Sequence, residues 1–234
     1  MTEQFKKMNL ENYRISAVTP SDFDQQLEQK RPLTCGYPGC NTCEYEYACL
    51  CSHIKAMQEG LNSGDEYFII MEDDILMPFE IDYDSMIKDL PKDLEILQML
   101  ILYGQSVHRL YQYWHATAIR YFPWQYLLPS TGMYLISREG AQKLVDMFYN
   151  NETQKYDFGS SKFQVVADVL LYSTVKTYAS TVPYAVPKIE MGSEIHPGHL
   201  DAHEKAINDI QKVMMQHEHF PFPFVTGKNS IDTK

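Results

Sequence analysis

Three apolar runs along the chain are continuous rather than alternating and too short for ordinary helices. Tyr67–Met71, Ile96–Leu102 and Thr131–Ile136 therefore read as buried strands, rich in branched and aromatic residues and bounded by turn formers. Elsewhere the period is helical. Leu50, Ile54, Met57 and Leu61 predict a helix over Tyr47–Leu61, closed by Asn62-Ser63-Gly64. Asp82–Leu90 predicts a short helix stopped by Pro91. Ser137 is the expected N-cap of a helix over Glu139–Tyr149 that turns Ala141, Leu144, Val145 and Phe148 inward. Ala202, Ala206, Ile210, Val213 and Met214 mark a late amphipathic helix over Asp201–Met215.

Other stretches carry weaker signals. Phe5 and Met8 share a face of an opening helix that Asn9 ends, and Tyr13–Val18 reads as a short strand stopped by Thr19-Pro20. Residues 19–43 form a polar, turn-rich excursion with a helical turn around Phe23–Leu27, long enough to suggest a functional loop. Gly104-Gln105-Ser106 reads as a turn. The aromatic-rich segment 107–127 is either core or a sugar-stacking surface. Asp168–Tyr172 opens a helix or a strand, Thr177–Val186 reads as an edge strand limited by Pro183 and Pro187, and the tail from His217 to Phe224 is expected to lie extended over the core. His217 and His219 read as exposed. The alternation of elements predicts an α/β fold, a mainly parallel central sheet flanked by helices. Residues 1–234 read as a single domain, with a Cys-rich excursion at 19–45 and a C-terminal helix and tail at 200–234.

The run Tyr67–Met71 ends in Glu72-Asp73-Asp74. In open α/β sheets ligands bind at the carboxyl ends of strands. Three adjacent carboxylates repel one another, and a divalent cation relieves that repulsion. Glu72 and Asp74, two apart on extended backbone, point to the same side, and hard cations such as Mg²⁺ or Mn²⁺ take oxygen ligands. The competing reading is a solvated acidic turn after a core strand.

The formal net charge of −11 excludes nucleic acid as a natural partner and requires a metal or a basic pocket for any phosphorylated substrate. No apolar run reaches the roughly 18 residues that cross a bilayer, and no leader follows Met1, so the expected location is cytoplasmic. Five cysteines, Cys35, Cys40, Cys43, Cys49 and Cys51, crowd one region. They read as free thiols, one local disulfide, or a structural Zn²⁺ on Cys35, Cys40 and Cys43 with Cys49, Cys51 or His53 as fourth ligand.

Four ordered blocks resemble glycosyltransferase family 25. Glu46-Tyr-Ala-Cys49-Leu-Cys-Ser52-His53-Ile-Lys-Ala56 is similar to the family's GE-x-GC-x-LSH-x-x-A segment. Tyr67–Ile75 is similar to its ALILEDDV strand. Thr131-Gly-Met-Tyr134-Leu-Ile-Ser137-Arg-Glu-Gly140-Ala141-Gln-Lys-Leu144 is similar to GTxAYLISRxGAxKLL, and Gln164–Leu171 to PVDxFL. The similarity runs from about Phe5 to about His196. It implies a GT-A fold and a metal-dependent inverting glycosyltransferase, which moves a hexose such as galactose or glucose from a nucleotide sugar, UDP-linked, to a glycan or glycoprotein hydroxyl.

On that resemblance Glu72, Asp74 and His196 are the candidate ligands of Mn²⁺ or Mg²⁺. Ser52, His53 and Asp73 are the candidate donor contacts, and Asp168 is the candidate base. The structural alternatives are an N-cap for Asp168 and a satisfied core histidine for His53, while Glu46 reads as capping the start of its helix, with a donor contact as its alternative. The family's leading apolar strand and its INLxxRxxR loop have no counterpart at the start of this chain, and the cysteine-rich insert is foreign to the pattern. Both features support an alternative, a non-catalytic binding or assembly domain with a degenerate donor site. A phosphate-ester hydrolase is a third reading, and it lacks a second ligand set.

Overall fold

A computed structural model describes residues 2–22, 27–29, 43–188 and 200–227. In chain order the elements are α1 (Thr2–Lys7), β1 (Leu27–Gln29), α2 (Cys43–Ser63), β2 (Tyr67–Met71), β3 (Ile75–Leu76), α3 (Tyr83–Asp89), β4 (Ile96–Gln98), α4 (Gly104–Thr117), β5 (Tyr121–Pro123), β6 (Met133–Ser137), α5 (Arg138–Phe148), β7 (Tyr149–Asn150), β8 (Lys155–Asp157), α6 (Ala167–Thr174), β9 (Thr177–Ser180), β10 (Val186–Pro187) and α7 (Leu200–Met215).

The three apolar runs supply β2, β4 and β6, three adjacent strands of a five-stranded sheet of order β2-β6-β4-β9-β5. Strand β6 runs antiparallel between β2 and β4, in register from Tyr67 opposite Ser137 to Met71 opposite Met133. Strands β4 and β9 are parallel, and β5 closes the order antiparallel to β9. The sheet is therefore mixed, not mainly parallel. Strands β2, β4 and β9 share one direction, but β6 interrupts them. All five residues of β6 are buried, which suits a central position, and an apolar run carries no information about strand direction.

Side chains alternate between two hydrophobic cores, one on each face. Phe68, Ile70, Ile96, Tyr134 and Ile136 face α2, α5 and α6. Ile69, Met71, Leu97, Met133 and Leu135 face a second core that includes Val107 and Leu110 of α4, Ile210 and Met214 of α7, and Met86 of α3. Capping and burial act together in α5. Ser137 Oγ accepts from Gly140 N–H at 3.1 Å, worth about 1 kcal/mol, whereas truncating fully buried Leu144 or Phe148 costs about 2–5 kcal/mol. Packing thus outweighs the cap. The N-cap of α3 is Asp82, whose carboxylate accepts from Ser85 N–H at 3.0 Å.

Several elements differ from expectation. Tyr13–Val18 is not a strand. The segment crosses α2, with Val18 N–H donating to Ser52 Oγ at 2.9 Å and Lys55 Nζ donating to Ser16 O at 2.9 Å. A helix surface offers no backbone ladder, so an extended segment there is held by side chains. Gly104 opens a helix rather than a turn, and Val107, Leu110, Tyr111 and Trp114 recur at helical spacing along it. Strand β4 stops at Gln98, although Met99–Ile101 stay buried. Met99 N–H donates to Met133 O at 3.0 Å, and Leu102 N–H to Pro129 O at 3.0 Å. Strand β9 is interior, and the edge beside it is β5. Among the described residues no helix is long and apolar enough to cross a membrane.

The tail turns at Gln216–Glu218 and drives Phe222 into the second core. His217, expected on the surface, is only 9 % exposed. Its ring packs against Phe79 and Phe222, and Nδ1 accepts from Phe222 N–H at 2.8 Å. Burial lowers its pKa below the ordinary histidine value, against the opposing pull of Glu218. The neutral form is therefore the one that folds. Its contribution is complete above about pH 6.5 and is lost as pH falls below that value, because the unfolded state then binds more protons. We expect the melting temperature to drop between about pH 7.5 and about pH 5.5 more steeply in the wild type than in His217→Gln, which keeps an acceptor without the charge. Identical pH slopes would show that His217 does not titrate against folding.

Candidate active site

Pairing of β2 with β6 continues one step past the strands. Glu72 N–H donates to Gly132 O at 2.9 Å, so the first acid of the triplet lies beside Thr131. A Cβ on Gly132 would stand 2.8 Å from Leu100 Cδ2 and 3.0 Å from Ile75 Cδ1, so a side chain there would displace the ends of both. The preceding loop is clamped by three side chains, from β4, from α6 and from its own start. Gln98 Nε2 donates to Leu128 O at 3.0 Å and Ser130 O at 2.9 Å, Trp124 Nε1 donates to Leu128 O at 3.0 Å, and Tyr172 Oη donates to Ser130 O at 2.9 Å. These contacts hold Ser130 at φ 112°, a region that residues with a Cβ rarely adopt.

Glu72 turns toward α2. Thr131 Oγ1 donates to its Oε1 at 2.8 Å, and His53 Nε2 stands 3.5 Å from the same oxygen. His53 is buried, and its Nδ1 lies 3.0 Å from Tyr134 Oη. Cys49 is one helical turn before His53, half-buried, so that Cys49, His53 and Glu72 each bring a ligand atom within 4.8 Å of the other two. Burial pulls the Glu72 pKa upward, but the His53 hydrogen bond and charge and the Thr131 hydroxyl outweigh it, and Glu72 stays ionised below the usual glutamate range. The Cys49 thiol is pushed well above its ordinary value by burial and then by Glu72, Glu46 and Asp168.

Asp74 meets a different environment. Burial first, then the Glu72 charge, push its pKa up to about 6. Its Oδ1 is buried with no hydrogen-bond partner among the described residues. Lys188 crosses the acidic turn, its N–H donating to Asp74 O at 2.7 Å and its Nζ to Asp73 O at 3.0 Å. The Asp73 side chain is exposed. Asp168 lies in the first turn of α6 rather than at its cap, which is Val166. Its two oxygens accept from Ser130 N–H at 3.1 Å and from Val169 N–H at 2.8 Å, and burial raises its pKa despite those bonds.

The structure thus brings together Glu72, Asp74, His53 and Asp168 at one end of the sheet. Ser52 is nearby in sequence but serves the fold: its Oγ donates to Ala48 O at 2.7 Å and accepts from Val18 N–H. Glu46, buried in the first turn of α2, sits where a negative charge favours the helix start. His196 falls outside the described residues, as do Cys35, Cys40 and the Cys43 side chain. Cys49 and Cys51 are free thiols, and Cys51 is fully buried in the first core. Two residues apart on a helix, they face different ways. Sequence reasoning passed over Thr131, Tyr134 and Lys188 as site residues. The i, i+4 spacing of Cys49 and His53 is the local signal for that face. Nothing local marks Lys188, whose contact spans more than a hundred residues.

Comparison with curated proteins gives no match. The sequence profile of glycosyltransferase family 25, described as LPS biosynthesis protein, matches residues 1–159. That span includes α2, the acid triplet, the Thr131 loop and β6, and Asp168 lies beyond it. With well over half of its length matched, the chain belongs to glycosyltransferase family 25 and is a glycosyltransferase.

Proposed function

We propose that this glycosyltransferase moves a hexose, galactose or glucose, from a UDP-linked donor to a glycan or glycoprotein hydroxyl, with inversion and with Mn²⁺ or Mg²⁺ at the acid triplet. The observation that carries the reading is Asp74. A buried carboxylate oxygen without a partner among the described residues, beside a second carboxylate, is costly unless a cation joins it. Its hard oxygen donors fit Mn²⁺ or Mg²⁺, with Asp74 and Glu72 as ligands and His196 as the further ligand suggested by the sequence. When bound, such an ion neutralises charge on a departing diphosphate. In this reading Asp73, which is exposed, contacts the donor's ribose or sugar, and Lys188, braced on the acidic turn, brings positive charge near it. A GT-A arrangement is consistent with a mixed sheet carrying this site at the end of β2. The family's link to lipopolysaccharide biosynthesis favours a glycan acceptor.

Asp168 takes the proton from the acceptor hydroxyl in this reading. Burial raises its pKa toward working pH, which improves a carboxylate as a base, and the Ser130 and Val169 amides hold it in one orientation. The Ser130 loop links this base to the Glu72 side of the site.

Calorimetric titration with UDP tests the donor site. Binding is expected to require Mn²⁺, to be lost in Asp74→Ala, and to weaken as pH falls through about 6, where a proton competes for Asp74. UDP binding that is indifferent to metal and to this substitution would sink the reading. Asp168→Asn is expected to keep Mn²⁺-dependent UDP binding while lowering kcat roughly 10²–10⁴-fold. An unchanged kcat would remove Asp168 from the base role.

A further inference from the structure

We propose that Cys49, His53 and Glu72 form a second, softer metal site that takes Zn²⁺ or a chemically similar ion, separate from the hard-oxygen position at Asp74. The sequence places Cys49 and His53 one turn apart on α2, on a common face, and the β2–β6 pairing delivers Glu72 to that face. One sulfur, one imidazole nitrogen and one carboxylate oxygen then lie within 4.8 Å of one another. Two nitrogen or oxygen ligands on one tetrahedral zinc stand about 3.3 Å apart, given bonds of about 2.0–2.1 Å. His53 Nε2 and Glu72 Oε1 are 3.5 Å apart, a spacing that needs little adjustment to share an ion.

The surroundings support ligation. A metal-binding imidazole usually has its other nitrogen held by a hydrogen-bonding group, and His53 Nδ1 has Tyr134 Oη at 3.0 Å, which leaves Nε2 turned to Glu72. Thr131 Oγ1 orients the Glu72 carboxylate in the same manner. Burial, then Glu72, Glu46 and Asp168, favour the protonated Cys49 thiol, so a dication entering here displaces that proton as it meets a field of carboxylates. Thiolate, imidazole and carboxylate together are a borderline-soft donor set, which selects Zn²⁺ over Mg²⁺. Glu72 keeps 38 % of its side chain exposed and Cys49 is half-buried, so a fourth position opens toward solvent. Such an ion would tie α2 to the end of β2 and fix the direction of Glu72. This site shares Glu72 with the acid triplet but takes its sulfur and nitrogen donors from α2, and it does not depend on the identity of the sugar donor.

Co²⁺ is the probe, because its thiolate charge-transfer absorption reports sulfur ligation directly. The full-length chain carrying Cys35→Ser, Cys40→Ser and Cys43→Ser leaves, besides Cys49, just the thiol of Cys51, which is fully buried in the first core. In that background we expect a single equivalent of Co²⁺ to produce the near-ultraviolet band and Zn²⁺ to displace it. Cys49→Ser should abolish the band, Tyr134→Phe should weaken Co²⁺ binding roughly 10- to 100-fold, and Asp74→Ala should leave the band unchanged. Circular dichroism of each variant establishes that it is folded, and His53→Gln provides a second ligand deletion with the same expected loss. Absence of the band in the parent, or its survival in folded Cys49→Ser, overturns the proposal. The Asp74→Ala arm separates the two metal readings, since it removes metal-dependent UDP binding without touching the sulfur signal.

Discussion

Everything at the candidate site depends on how β6 pairs with β2. A slip of one residue in that register would turn every side chain of β6 to the opposite face, moving Tyr134 away from His53 and Met133 into the first core. The register holds because both faces are buried and chemically distinct. One packs beneath α2, α5 and α6, and the other against α4 and α7. Gly132 extends the pairing past the strand, where a side chain would strike Leu100 and Ile75, so that Glu72 leaves the sheet beside Thr131. The rest of the site hangs from that junction. The Ser130 loop is held in a strained backbone by Gln98, Trp124 and Tyr172, and it presents its amide to Asp168.

From this junction the acidic residues diverge in character, although they are neighbours in sequence. Glu72 is matched by a histidine and a hydroxyl and stays readily ionised. Asp74, half-buried and with one oxygen that has no hydrogen-bond partner among the described residues, has its pKa pushed up to about 6. Asp168 accepts two amide hydrogens yet still titrates high because burial dominates. Three carboxylates close to one another cannot all hold charge cheaply, and their environments divide the burden. In the mechanism proposed above this division would be chemically useful, since cation binding and proton abstraction require carboxylates of different basicity.

Much of the architecture is legible in the chain itself. Tyr67–Met71 is a strand with the expected ends, Ser137 caps the helix that follows β6, and α2 and α7 occupy the stretches where apolar residues recur at helical spacing. These features are local, set by side-chain period and capping chemistry within a few residues. The helix Gly104–Thr117 escapes that reading because its aromatic content masks a helical repeat that is present in Val107, Leu110, Tyr111 and Trp114. The failure of Tyr13–Val18 has another origin. Its composition suits a strand, but pairing requires a neighbouring edge, and the chain lays it on a helix instead.

Local sequence sets the type of the strongly periodic helices and of the three apolar strands, their buried faces, the acid triplet at the end of its strand and the family to which they belong. Each of these rests on spacing or on residue chemistry along a short stretch. Long-range packing chose the direction of β6 within the sheet, the interior place of β9 and the burial of His217 beneath Phe222. It also decided that Glu72 faces Cys49 and His53 while Asp74 does not share their hydrogen bonds. The reason is physical. Strand order, register and the pairing of residues far apart in the chain are chosen by the whole core at once, through packing on both sheet faces, and no local pattern encodes which distant group a side chain will meet.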